Sequence, residues 1–258
     1  MNNEPDFFNT SYPHFFISAD QIEDNRVSLN GPDVIHITKV LRLRPGENLI
    51  CMDGRGKSYL VEIEKFFMGE VICTVQKEIP APAASPLRVT LVQGIPKGDK
   101  MDLIIQKGTE LGVNLVIPLL CERTVVKLDE AKTLMRLKRW QRIALEAAKQ
   151  CRRIDVPEIC RPKGWEQVWT TLSPGAATLI LWEEEVEYSF KEFFRQHPEL
   201  KAINIFIGPE GGFTREEVER TRFHGVRPVT LGPRILRTET AGLAVLALVQ
   251  YQWGDLGG

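Results

Sequence analysis

Apolar positions recur along this chain in two different rhythms. From about residue 14 to 79 the runs are short and strand-like: HFFI, RVSL, NLICMDG, SYLVEIEKFF and EVICTVQKEI. They are rich in β-branched and aromatic residues, and alternate toward a core face. DGRGK, 53–57, has the composition of a hairpin turn. A single helix-like piece, DVIHITKVLRL at 33–43, interrupts the series. The predicted product is a small β-barrel over residues 1–79. PAPAASP, 80–86, places three prolines among small residues and cannot continue a central strand, so it reads as a linker.

From residue 87 to 258 the rhythm changes. RVTLVQGI predicts a strand, GDKMDLIIQKGTELG a helix closed by Gly112, and VNLVIPLL a strand. LMRLKRWQRIALEAAKQCRR, 134–153, repeats Leu137, Trp140, Ala144, Ala147 and Cys151 at helical spacing. ATLILW, SFKEFFRQ, INIFI at 203–207 and VRPVTL at 226–231 extend the alternation of strand and helix. Strands alternating with helices predict an α/β fold with a mostly parallel sheet covered on both faces.

Two loops stand out in this second part. GPEGGFTREE, 208–217, and LGPRILRTETA, 231–241, each follow an apolar run and lead into a helix, and are expected side by side at the carboxyl end of the sheet, where open α/β sheets bind ligands. Gly208, Gly211 and Gly212 permit positive φ and close approach of backbone to a ligand, and Pro209 stiffens the turn. Thr214 with Glu217 forms a capping box for the next helix. Neither G-x-x-x-x-G-K-[ST] nor G-x-G-x-x-G occurs, so nothing points to a triphosphate or dinucleotide cradle. Leu231, Gly232, Pro233, Ile235 and Leu236 offer apolar side chains and bare backbone, a lining suited to a flat ring such as adenine. Arg237 adds one cation, and Thr238 is placed to cap a helix beginning at Glu239. That helix, ETAGLAVLALVQYQW, is apolar nearly all round until Gln250, as expected of a helix buried in its own domain or against a partner.

Composition narrows the class without naming it. The 258 residues are 43% hydrophobic and 26% charged, as in a soluble globular protein. The longest apolar run, AGLAVLALV, is too short to span a bilayer and the N-terminus lacks a signal-peptide pattern, so a cytoplasmic location with no membrane contact is expected. Five cysteines (51, 73, 121, 151, 160) without C-x-x-C spacing argue against a disulfide framework or a structural zinc, and no metal is expected. The net charge of −1 conceals an asymmetry: residues 81–163 carry 16 Lys and Arg against 9 Asp and Glu, while both flanking segments are acidic. Arg136, Arg139, Arg142, Lys149 and Arg153 lie largely off the apolar stripe of the 134–153 helix. Those charges form either a solvated helix face or a nucleic-acid surface.

GPEGGF at 208–213, LGPRILRTETA at 231–241, PKGDKMDLIIQKGTELGV at 96–113, and HITKVLRLRPGE at 36–47 with the later CMDGRGKSYL resemble, together and in order, the ribosomal RNA small-subunit methyltransferase E family. The resemblance spans all but the first dozen residues. It implies methylation of N3 of a uridine in 16S ribosomal RNA, with S-adenosylmethionine as methyl donor. It also implies a SPOUT-class catalytic domain with a C-terminal trefoil knot over 87–258, a PUA-like RNA-binding β-barrel over 1–79, and a homodimer acting on 16S ribosomal RNA or the small ribosomal subunit. Carried over by position, cofactor contacts fall on Leu181, on Ile207, Gly208, Pro209, Glu210, Gly211 and Gly212, and on Leu231, Gly232, Ile235, Leu236, Arg237, Thr240 and Ala241. The chain departs from the family pattern at Lys149 and Arg152, where an acidic residue and a glycine are expected, and at Tyr12, Pro13 and His14, where an Arg-rich start is expected.

The reaction itself assigns further roles. A sulfonium donor needs only in-line alignment with its nucleophile, with no metal and no covalent intermediate. Uracil N3 must lose a proton first, which calls for a base or for a cation facing the developing enolate oxygen. Glu210 as base or substrate orienter and Arg237 as electrostatic stabiliser are the candidates; a carboxylate bonded within its own loop and a structural arginine are the alternative. RNA contacts are expected at Lys39, Arg42 and Arg44, at Lys97 and Lys100, and at Arg123, Arg139, Arg142, Arg152 and Arg153. A SPOUT enzyme acting on tRNA or on a ribose 2′-oxygen, or an RNA-binding protein without catalysis, would share parts of this pattern.

Overall fold

The structure is a computed structural model describing residues 12–80, 85–126 and 129–257. The chain forms two compact units, Met1–Ala84 with Ala148–Val156, and Ser85–Ala147 with Pro157–Gly258. Most of the 80–86 linker and the start of the chain lie outside the described residues.

The first unit holds β1 (His14–Phe16), β2 (Ile22–Glu23), β3 (Arg26–Leu29), a helical turn α1 (Pro32–Ile35), β4 (Asn48–Met52), β5 (Ser58–Phe67) and β6 (Glu70–Ile79). Its six strands run in the order β1-β4-β5-β6-β3-β2, with β1 parallel to β4 and the other pairs antiparallel. The inward residues of the alternating runs, Phe15, Val27, Leu29, Leu49, Cys51, Val61, Ile63, Val71 and Cys73, form its core together with Ile37. α1 continues as a π-helical segment, His36–Val40, which carries Ile37 into that core. The 53–57 turn is a hairpin turn, joining β4 to β5. The Asp53 carboxylate accepts hydrogen bonds from the backbone N–H groups of Arg55 and Lys57, an Asx-type turn that pins the register Met52↔Ser58. Burial pushes the Cys73 thiol up to about 12 and that of Cys51 well above its usual value, so both are inert core residues.

The second unit alternates β7 (Arg88–Gly94), α2 (Lys100–Glu110), β8 (Leu115–Leu119), α3 (Glu130–Gln150), β9 (Glu158–Ile159), α4 (Trp165–Trp169), β10 (Ala177–Leu181), α5 (Phe190–Gln196), β11 (Ala202–Ile207), α6 (Arg215–Arg222), β12 (Arg227–Val229) and α7 (Thr238–Trp253). The last turn of α3 and the segment through Val156 pack with the first unit, where Lys149 pairs with Asp33 at 3.6 Å. All neighbours in the six-stranded sheet are parallel, in the order β12-β10-β11-β7-β8-β9. α2 closes where predicted. Gly112 takes φ 82°, and the Val113 N–H returns to the Gly108 carbonyl. On α3 the predicted stripe faces inward: Trp140, Ala144 and Ala147 are buried, with Ala148 beside them.

The order of the strands departs from expectation. The strands feeding the two glycine-rich loops are not neighbours, because β10 lies between β11 and β12. Both loops therefore meet over the carboxyl end of β10. From β12 the chain passes back across that end, with Trp182 N–H bonded to the Val229 carbonyl and Phe190 N–H to the Thr230 carbonyl. It then begins α7, which packs on α2, β7 and β11.

Candidate functional site

The cavity over the carboxyl ends of β10, β11 and β12 has a volume of about 820 Å³ and lies wholly within the second unit. That size accommodates a drug-sized ligand or a nucleoside cofactor. Of the residues carried over by resemblance, Leu181, Ile207, Gly208, Pro209, Glu210, Gly212, Leu231, Gly232, Ile235, Leu236, Arg237 and Ala241 line it, and Gly211 and Thr240 do not.

The first loop is shaped by its glycines. A Cβ on Gly208 would lie 2.9 Å from the Gly212 Cα, so the loop folds on itself only with glycine there. Gly212 takes φ 67°, and its N–H closes a turn onto the Pro209 carbonyl. The loop also lies close against the end of β7, where a Cβ on Gly94 would stand 2.5 Å from Pro209 Cδ. Beyond the loop the capping box is formed as predicted: Thr214 Oγ1 accepts from Glu217 N–H, and the Glu217 carboxylate accepts from Thr214 N–H. Glu217 is 5% exposed and does more than cap, accepting from the Glu122 N–H at 2.8 Å and from the Trp165 indole at 2.9 Å. The 121–124 loop is thereby tied to the start of α6, just after the 208–213 loop. Arg123 reinforces the tie by donating to the Gly211 carbonyl.

Glu210 is held from outside its own loop. Its carboxylate accepts from the Lys97 backbone N–H and pairs with Lys100 Nζ at 2.9 Å. Partial burial raises the Glu210 pKa, but the Lys100 hydrogen bond and the backbone N–H groups outweigh that and hold it below the ordinary carboxylate value. Lys100 Nζ also faces Glu239 on α7 at 3.4 Å, and the Glu210 bond foremost raises its own pKa. Arg237 is exposed and lines the cavity; among the described residues no carboxylate pairs with it. Thr238 corrects a second expectation. It does not cap α7, because it is itself the first helical residue, behind Arg237, and its hydroxyl donates to the Gly208 carbonyl at 2.6 Å.

Sequence reasoning missed the third wall. Trp182, Glu183, Glu185 and Val186, which directly follow β10, line the cavity, as do Phe213, Val229, Thr230, Arg234 and Thr238. The acidic run WEEEVE after an apolar strand was the available signal, since ligands gather at the carboxyl ends of parallel strands. The lining fits a cofactor joining a flat ring to a cation. Leu181, Ile207, Val229 and Leu231 offer apolar walls beside bare glycine backbone, and Glu183, Glu185 and Glu210 supply carboxylates.

The cationic candidates fall into different settings. Lys39, Arg42 and Arg44 are exposed on the first unit, and Arg42 takes φ 56°. Arg152 is exposed with φ 60°, a left-handed conformation that explains why glycine is expected there, and Arg153, 14% exposed, pairs with Asp155. On the second unit Lys97 and Arg142 are exposed, and Arg139 pairs with Asp102.

Residues 83–250 match a family of RNA methyltransferase domains, and residues 29–65 match the RNA methyltransferase PUA domain. The ribosomal RNA small subunit methyltransferase E of Bacillus subtilis is 36% identical over 92% of this chain and 94% of its own. A ribosomal RNA small subunit methyltransferase E from Neisseria gonorrhoeae, solved bound to S-adenosyl methionine, superposes with a TM-score of 0.83 at 34% identity, covering 95% of this chain and 99% of that one. A putative methyltransferase from Legionella pneumophila, solved in complex with the same cofactor, gives 0.82 at 32% identity over 96% and 100%. Family match, whole-length identity and the site's own geometry agree: the chain belongs to the ribosomal RNA small subunit methyltransferase E family and has the SPOUT methyltransferase fold.

Proposed function

We propose that this protein transfers the methyl group of S-adenosylmethionine to N3 of a uridine in 16S ribosomal RNA. The observation that carries the reading is the cavity over β10, walled by bare glycine backbone, aliphatic side chains and carboxylates, in a chain similar along its whole length to enzymes solved with that cofactor. Residues 87–258 form the catalytic domain, 80–86 the linker, and 1–79 the RNA-binding domain. When bound, the cofactor supplies a methyl group already activated on a sulfonium.

The chain's own residues supply position and charge. Leu181, Ile207, Leu231 and Leu236 would hold the cofactor's adenine ring, and Gly208, Gly212 and Gly232 would offer it bare main chain. Lys100 and the Lys97 N–H keep Glu210 ionised, which makes it a weak base and a strong acceptor, so it orients the substrate or cofactor. Arg237, at the mouth of the helix it precedes, would stabilise the enolate oxygen that develops as the N3 proton passes to solvent water, leaving the N3 lone pair free to take the methyl group. Lys39, Arg42, Arg44, Arg142 and Arg152 hold phosphates, while Arg123, Arg139 and Arg153 serve the protein's own scaffold. A second copy covers the outer face of α7, where Leu248 is 40% and Tyr251 is 70% exposed. Incubation of the protein and labelled cofactor with unmethylated small subunits, followed by mapping of the modified nucleoside, tests the reading. Label in 3-methyluridine of 16S RNA is expected; label in tRNA or on a ribose would overturn it.

A further inference from the structure

Gln93, the penultimate residue of β7, is fully buried at the carboxyl end of the sheet. Its amide nitrogen donates to the Gly94 carbonyl at 2.9 Å, to Thr238 Oγ1 at 2.9 Å and, more weakly, to the Gly208 carbonyl at 3.4 Å. Thr238, 6% exposed, donates its own hydroxyl hydrogen bond to the same Gly208 carbonyl at 2.6 Å. The Gln93 oxygen, by contrast, has no hydrogen-bond partner among the described residues, and faces the helix at Gly242, where a Cβ would meet it at 3.4 Å. A buried amide with an orphan oxygen is a net loss to folding if it only fills space, and leucine would fill this one better. What the glutamine supplies is its donor end, and two of the three residues that end touches, Gly208 and Thr238, line the cavity.

Three chain segments meet at this point: the end of β7, the 208–213 loop, and the first turn of α7 that closes the 231–237 loop. The two loops are the two lips of the cavity. A second, outer tie joins the same segments, since Lys100 reaches both Glu210 on the first lip and Glu239 in the first turn of α7, beyond the second. The side chains of that outer tie are partly exposed, at 32%, 30% and 17%, and water and salt weaken it. The inner tie is dry and neutral, and neither salt nor pH in the working range acts on it.

We propose that Gln93 and Thr238 are positioning residues of the cofactor site: their hydrogen bonds to the Gly208 carbonyl hold the two lips at the separation at which S-adenosylmethionine binds. Neither residue needs to touch the methyl group or the uridine. Gly208 is fixed because its only side-chain-like handle, the carbonyl oxygen, is gripped from two directions, and the cavity-facing backbone that follows it is oriented as a result. The idea rests on the methyl-donor reading above.

The test is calorimetric titration of S-adenosylmethionine into the intact protein, without RNA and well below the unfolding midpoint, with hydrogen exchange at the amides of 208–213 as a second readout. Thr238→Val keeps the shape and removes both bonds; Thr238→Ser keeps the hydroxyl; Gln93→Met replaces the donor by an apolar chain of similar length. About a tenfold rise in Kd is expected for the Val variant and for the Met variant, with faster exchange in the loop. The Ser variant should bind within about twofold of the unaltered protein. A lowered unfolding midpoint with unchanged Kd and unchanged loop exchange in the Val and Met variants means a purely structural role and overturns the proposal. If one of these variants does not fold, the other with the Ser variant decides by the same criteria. Failure of the unaltered protein to bind the cofactor would instead overturn the methyl-donor reading, so the two failures are distinguishable.

Discussion

Gly94→Ala is the most direct probe of how the 208–213 loop is seated. The added Cβ would stand 2.5 Å from Pro209 Cδ, 2.7 Å from Pro209 N and 3.1 Å from the Gly208 carbonyl carbon. Gly94 does not have a positive φ, so alanine suits its backbone and the effect is steric alone. The colliding atoms are backbone and a proline ring, which cannot swing aside as a lysine tip can. Overpacking of this kind costs about 2 kcal/mol. If the sheet end stays and the loop strains, the cost appears as stability, and the second unit's midpoint falls by roughly 4–8 °C. If the 208–213 loop moves out instead, the cost appears in binding, and about 2 kcal/mol corresponds to roughly a 30-fold rise in the Kd for S-adenosylmethionine. Calorimetry and a thermal melt on the same preparation separate the two. A variant with both values unchanged would refute the tight seating of Pro209 on Gly94, and with it the account of why β7 ends in glycine.

Glu217→Ala strips the acceptor from the Trp165 indole, the Glu122 N–H and the Thr214 N–H. Loss of the cap and of buried partners should cost about 2–4 kcal/mol in denaturant titration, and a loss below about 0.5 kcal/mol would contradict the geometry. Arg152→Gly relieves a left-handed arginine at φ 60°, and should raise stability by about 0.5 kcal/mol once glycine's greater unfolded-state entropy is offset; a drop of more than about 1 kcal/mol would mean that the arginine side chain holds the turn. Combined Lys39, Arg42 and Arg44 alanine substitutions should lower the slope of log affinity for RNA against log salt by about 2, and an unchanged slope would remove these three from the RNA surface. The Glu210 pKa is lowered on folding, so its clasp with Lys100 is fully present above the ordinary value of 4.5 and is lost as pH falls through the lower folded value. The difference in cofactor affinity between the unaltered protein and Glu210→Gln should therefore be constant near neutrality and close in acid; a gap independent of pH down to unfolding would show that ionisation of Glu210 does not matter. Arg237→Ala should lower kcat about 100-fold with cofactor binding near normal, and near-normal turnover would remove it from the chemistry.

Much of the site was legible because its signals are local. The capping box at Thr214 and Glu217, the helix stop at Gly112 and the hairpin at Asp53–Lys57 each depend on residues within a few positions of one another, and each forms as predicted. The two glycine-rich loops were likewise recognisable from their own composition. The residues that hold them in place were not. Gln93 reads as one more polar position in a strand, yet it meets residues 115 and 145 positions away in sequence. Read from its own loop, Glu210 is a base or a substrate orienter, while the groups that fix its charge, Lys97 and Lys100, lie 113 and 110 positions earlier.

The amino-acid pattern by itself determined the two kinds of architecture, the α/β class of the second unit, and the two glycine-rich loops that line the cavity. Periodicity and capping are properties of short segments, and they survive being read one at a time. The tertiary structure decided that β10 separates β11 from β12, that three strand ends wall the cavity, and that Thr238 grips Gly208 where a helix cap was expected. Buried parallel strands are apolar on both faces, so nothing in their composition states which will be neighbours. Their order follows only when the whole chain minimises its exposed apolar surface and unpaired backbone at once, and the partners of each polar side chain follow from that order.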